Sequence, residues 1–138
     1  MISPDLLQVA AVAKTKLLLP PTPPGTVDIR EWQYKGADFT YPNVRIQLGV
    51  QVDRSGGQCI NKLSAVSILW IANSEKEASD EVNQLVGAIL NALEGKGLSG
   101  VGWYIPALYQ RRVTSPRRAN PQIWRGTVEL VGNIYRTT

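Results

Sequence analysis

Apolar and polar positions along this chain follow two periods, two and about 3.6, and the switches between them mark out the elements. From Tyr41-Pro42 onward, Val44, Ile46, Leu48, Val50 and Val52 alternate strictly with Arg45, Gln47, Gly49, Gln51 and Asp53. A period of two predicts a strand with one buried and one polar face, so all five apolar side chains are expected on the core side. Asp53-Arg54-Ser55-Gly56-Gly57 reads as a turn. The following strand, from about Ile60 to Ala72, ends in Ile68-Leu69-Trp70-Ile71, apolar on both faces, which predicts a central place in the sheet.

The period then changes. Ser74 and Glu77 form an S-x-x-E capping box, and Ala78, Val82, Leu85, Val86, Ile89, Leu90 and Leu93 make one helical stripe that stops at Glu94-Gly95. At the start of the chain, Ser3-Pro4-Asp5 has an N-cap, a proline at the first helical position and an acid in the first turn. Leu6, Leu7, Val9, Ala10, Ala13 and Leu17 follow at near-helical spacing, with Lys14 and Lys16 toward the C-terminal end. The expected organisation is one domain over 1–138: an N-terminal helix over 1–19, a proline-rich connector over 20–25 carrying Pro20, Pro21, Pro23 and Pro24, and a sheet with its long helix over 26–138.

A first strand is predicted from Thr26 to Tyr34, with an alternation that slips near Glu31. Gly95, Gly97, Gly100 and Gly102 read as a flexible loop, Trp103 to Tyr109 as a strand, and the arginine-rich tract with Pro116 and Pro121 as another loop. A final strand is expected from Ile123 to Ile134, with Trp124, Val128 and Leu130 opposite Arg125, Thr127 and Glu129. The sum is an α+β fold: an antiparallel (mixed) sheet of about five strands, with the N-terminal helix and one long helix packed on one face.

Composition narrows the chemistry. The 138 residues are 43% apolar and 19% charged, enough for a core and too few charges for a disordered chain. No run approaches a membrane span and no signal peptide is expected, so no membrane partner is predicted. The chain has no histidine and one cysteine, Cys59, which removes the commonest general base and ordinary zinc sites. Cys59 reads as a small apolar residue. Glu75, Glu77, Asp80 and Glu81 read as acids complementing a helix dipole rather than a metal site. Neither glycine-rich segment has the Lys-Ser/Thr of a phosphate loop. No catalytic residue, no metal and no cofactor is expected, and the chain reads as a non-enzyme.

What remains is surface. The formal net charge is +4, and Gln110 to Arg125 holds five arginines (111, 112, 117, 118 and 125) and no acid. Arg111, Arg112, Arg117 and Arg118, with Tyr109 and Trp124 near in sequence, fit a solvated loop, ion pairs to a neighbouring subunit, or contacts to DNA phosphates. Four Trp and five Tyr against one Phe favour rings with a polar handle, which suit surfaces buried on assembly.

The strand Ser64-Ala65-Val66-Ser67-Ile68-Leu69-Trp70-Ile71-Ala72, the Asn73-Ser74-Glu75-Lys76-Glu77-Ala78 link and the helix Val82 to Leu93 ending in Ala-Leu-Glu-Gly come in one order. With Tyr41-Pro42-Asn43-Val44 upstream and Ile123-Trp124-Arg125-Gly126-Thr127-Val128-Glu129-Leu130 downstream, this order resembles the tail terminator, or tail-completion, proteins of long-tailed bacteriophages. The resemblance implies a hexameric ring at the head-proximal end of the tail tube, assembled in the host cytoplasm. Such a ring would stop tube polymerisation, contact the tail tube protein and a neck protein, and pass DNA through its channel with non-specific phosphate contacts. Another neck or head–tail connector component, or a small basic nucleic-acid-binding protein, are the alternatives. A ring needs two different adhesive surfaces per subunit, and the N-terminal helix and an exposed sheet edge are the expected ones.

Overall fold

The computed structural model describes residues 3–19, 27–33, 40–53, 62–75, 79–120 and 122–137. The proline-rich connector, the 54–57 turn, Cys59 and Glu77 lie outside them. The elements run α1 (Pro4–Leu18), β1 (Asp28–Glu31), β2 (Asn43–Asp53), β3 (Lys62–Ser74), α2 (Asp80–Leu93), β4 (Leu98–Gly100), β5 (Trp103–Ile105), β6 (Tyr109–Asn120) and β7 (Ile123–Arg136). The class is α+β as expected, but the sheet is larger: seven strands in the order β1-β2-β3-β7-β5-β4, with β6 also paired to β7.

Two segments read as loops supply the extra strands. The glycine-rich stretch after α2 folds into a β4–β5 hairpin, where Gly102 takes φ of 82° in the turn, open to glycine without strain. The arginine tract is β6, antiparallel to β7 from Tyr109↔Val131 to Asn120↔Ile123. The strand expected from Trp103 to Tyr109 is broken at Pro106. Leu108 instead turns inward, donating its N–H to the Lys96 carbonyl (2.8 Å) and accepting from the Gly95 N–H (2.7 Å) just past α2. β1 pairs with β2 in parallel, so the sheet is mixed.

β3 is central, between β2 and β7, as its doubly apolar run requires. Its even-numbered residues Val66, Ile68, Trp70 and Ala72 face both helices and meet Val44, Ile46, Val128 and Leu130 in one core. From α2 the stripe Val82, Leu85, Val86, Ile89 and Leu93 is buried against this face. Gly126 allows the close approach, because a Cβ there would stand 2.8 Å from Val82 Cγ1 and 3.0 Å from Val86 Cγ2.

Helix α2 starts later than the capping box predicts. Ser74 is the last residue of β3, and Ser79 stands at the N-cap without a side-chain bond. The Ser74 hydroxyl donates instead to the buried Glu81 carboxylate in the first turn of α2 (2.6 Å), tying strand to helix. The strict alternation of β2 is also interrupted. Register shifts between Leu48 and Gln51, where one extra residue opposes β3, so Val52 pairs with Ala65 and is left exposed instead of joining the core.

Helix α1 begins at Pro4 as predicted, although the Ser3 hydroxyl donates to the Asp5 carboxylate and does not accept from a backbone amide of the first turn. That bond holds the Asp5 carboxyl below its ordinary range. The helix docks through Leu7, Ala11 and Thr15, and Gln8 Nε2 donates to the Ile46 carbonyl (2.8 Å). Trp70 Nε1 donates to Thr15 Oγ1 (2.9 Å), and that hydroxyl donates to the Ala11 carbonyl (2.7 Å), so the polar atoms at this contact are satisfied. Of the apolar residues read as its stripe, only Leu7 is fully buried. Leu6, Val9 and Leu17 remain 55%, 66% and 77% exposed.

Candidate functional site

The sheet face away from the helices carries the odd-numbered residues of β3 and their partners, and its two ends differ. At the β1–β2 end it is covered. Trp32 leaves β1 and packs against two guanidinium groups, with Arg45 Cζ 5.6 Å and Arg125 Cζ 6.0 Å from its ring centroid. Beneath it Arg125 Nε donates to Asn73 Oδ1 (2.8 Å), Asn73 Nδ2 to Asn43 Oδ1 (2.9 Å), and Asn43 Nδ2 to the Thr40 carbonyl (3.1 Å). Asn43 and Asn73 are buried, so this chain of bonds fixes the end of the β1–β2 crossover onto the sheet. The slip of alternation near Glu31 was the trace of this tryptophan in the sequence; the paired arginines left none.

The other end is bare. Ala65, Val131, Asn133 and Tyr135 with Pro106 and Tyr109 line an open groove of about 340 Å³. Tyr104 stacks on Tyr135 with centroids 5.7 Å apart, and Val52, displaced by the β2 bulge, extends the apolar surface beside Ala65. Tyr109 is 62% exposed at the rim. The groove offers apolar surface and phenol rings, a chemistry of contact.

The four arginines singled out in the sequence all lie on β6, all exposed, with β7 on one side of that strand. Three register shifts break the alternation of β6, which accommodates Pro116 within a strand. At the first shift Arg111 and Arg112 both oppose Glu129, and Arg111 Nε lies 3.8 Å from that carboxylate, a solvated pair contributing about 0–1 kcal/mol. Past the second, Arg117 stands across from Arg125, a like-charge pair. Arg118 falls on the other face, its Cζ 5.1 Å from the Trp124 centroid. Thus Arg111, Arg112 and Arg117 share the open face, Arg111 and Arg112 next to the groove, while Arg118 is separated from them.

Among the described residues no group of three or more His, Cys, Asp or Glu side chains is placed to hold a metal ion, and no helix is long and apolar enough to cross a membrane. Glu81 serves the β3–α2 tie, and Asp80 sits beside it in the first turn.

No protein-family model and no curated protein matches the chain. Among solved structures it is similar to a chain in the virion of a native gene transfer agent (GTA) particle, at 12% identity and a TM-score of 0.64. That likeness covers 95% of this chain and 96% of the other, so the two share a fold over nearly their whole lengths.

Proposed function

We propose that this chain is a structural subunit of a phage-like particle, and within that class a tail terminator. It forms a hexameric ring at the head-proximal end of the tail tube, stops tube polymerisation and joins the tail to the neck. The observation that carries the reading is the end-to-end likeness of fold to a chain of a gene transfer agent virion. It agrees with the ordered likeness of β2, β3, α2 and β7 to tail-completion proteins. Apolar surface left on both α1 and the open sheet face adds support, since a closed ring needs two different contact surfaces on each subunit. The partners in this reading are further copies of the chain, a tail tube protein and a neck protein.

Arg111, Arg112, Arg117 and Arg118 are proposed to contact DNA phosphates in the channel or acids of a neighbouring subunit. Exposed guanidinium groups on one strand hold a polyanion loosely and without base readout, which suits DNA that must pass. Native mass spectrometry across concentration and salt tests the ring: the expected product is a species of six subunits, formed alone or on added tail tubes. A monomer that ignores tubes and is captured by DNA would overturn it in favour of a small nucleic-acid-binding protein. For the arginines, alanine at all four positions is expected to impair tail joining, DNA retention or ring assembly; no change in any of the three would remove them from the function.

A further inference from the structure

Helix α1 has two apolar faces. Leu7, Ala11 and Thr15 are buried on the sheet. Leu6, Val9, Ala13 and Leu17 fall, at 100° per residue, within an arc of about 80° on the opposite side. All four are exposed. A helix needs only one apolar stripe to dock, and a second along its outward face is unexplained by the fold.

The edges of the described strands are poorly suited to strand addition: β1 covers β2 only from Asn43 to Ile46, and the register shift between Leu48 and Gln51 breaks the rest of that edge. β1 has four residues and β4 three, too short for a strand of a neighbour to add productively. The long edge strand β6 has three bulges, a proline and four arginines, all features that block edge pairing. The groove on the open face is a concavity with apolar lining from Ala65, Pro106, Ala107 and Val131.

We infer that the outward stripe of α1 docks into the open-face groove of a neighbouring copy, with Asp5 set against Arg111 and Arg112 at the groove's end. The inference rests on the self-assembly proposed above and specifies its contact. Leu6 to Leu17 spans about 16 Å of helix; on β7 the groove lining runs from Val131 to Tyr135, about 13 Å of strand, and Glu129 lies about 7 Å beyond it. A helical ridge would meet a groove lined by Ala65, Val131, Tyr109 and Tyr135. The charges are complementary. Asp5 is the acid in the first turn of α1, fully exposed, while Arg111 and Arg112 stand side by side at the Glu129 end of the groove. Ridge and groove lie on opposite faces of the molecule, so each copy offers one to each neighbour. Contacts of that kind are heterologous, and they close into a ring when the rotation between copies divides a full turn.

Site-directed cross-linking tests the contact. In a Cys59→Ser background, Val9→Cys and Val131→Cys are made as separate full-length proteins, mixed under assembly conditions and treated with a mild oxidant. The mixture is expected to yield at least ten times more disulfide dimer than either protein alone. Equal yields from the mixture and the single variants would overturn the contact. A second arm uses charge: Asp5→Arg is expected to raise the assembly midpoint concentration several-fold, and Arg111→Asp with Arg112→Asp to restore it. No shift, or no restoration, counts against the contact. If the six-subunit species forms and the cross-link does not, this contact fails and the ring stands. If the unmodified protein remains monomeric even on tail tubes, both fail.

Discussion

The two helices cover the same face of one sheet yet use their apolar residues differently. Every large apolar side chain of α2 is at least half-buried, and Val82, Leu85, Val86, Ile89 and Leu93 are buried in the core. α1 buries Leu7 and Ala11 and presents Leu6, Val9 and Leu17 to solvent. α2 therefore spends its apolar residues on the fold of its own subunit, whereas α1 spends one stripe there and keeps a second outward, the stripe we infer to meet a neighbouring copy. Exposed leucines are ordinary when scattered; here they are aligned, and alignment is what a partner reads.

The contrast predicts opposite responses to similar changes. Leu85→Ala or Ile89→Ala should cost about 2–5 kcal/mol and lower the thermal midpoint by on the order of 10 °C. On α1, Thr15→Val should cost about 1–3 kcal/mol, because it leaves the buried Trp70 N–H without an acceptor. Ser74→Ala should weaken stability by a similar or smaller amount, about 1–2 kcal/mol, by taking a donor from the buried Glu81 carboxylate. Chemical denaturation of each variant checks these values. Leu17→Ala should change monomer stability by less than about 0.5 kcal/mol while weakening assembly. A loss of several kcal/mol there would mean that the outward stripe belongs to the core.

Much of the fold was legible because its signals are periodic. The stripe from Val82 to Leu93 has a single helical period and a glycine stop, and Ile68 to Ile71 announces a strand buried on both faces. The misses fall where periodicity is broken or a short motif has another use. Each bulge in β6 resets its two-residue period, so Arg111 to Arg118 with Pro116 imitates a loop. One bulge near Gly49 turns Val52 outward by the same mechanism. Ser74 has the spacing of a helix cap and spends its hydroxyl on Glu81 from the end of a strand. Of the candidate site, the arginines were visible as composition, but the groove was not. Ala65, Val131 and Tyr135 come from three separate positions on neighbouring strands, and no local pattern joins them.

Sedimentation velocity of the unmodified protein beside a Leu6→Gln, Val9→Gln, Leu17→Gln variant tests the account most directly. A closed multi-subunit species is expected for the unmodified chain and a folded monomer for the variant, with the thermal midpoint nearly unchanged. Identical assembly by both proteins would contradict it, since α1 would then contribute nothing beyond the fold of its own subunit.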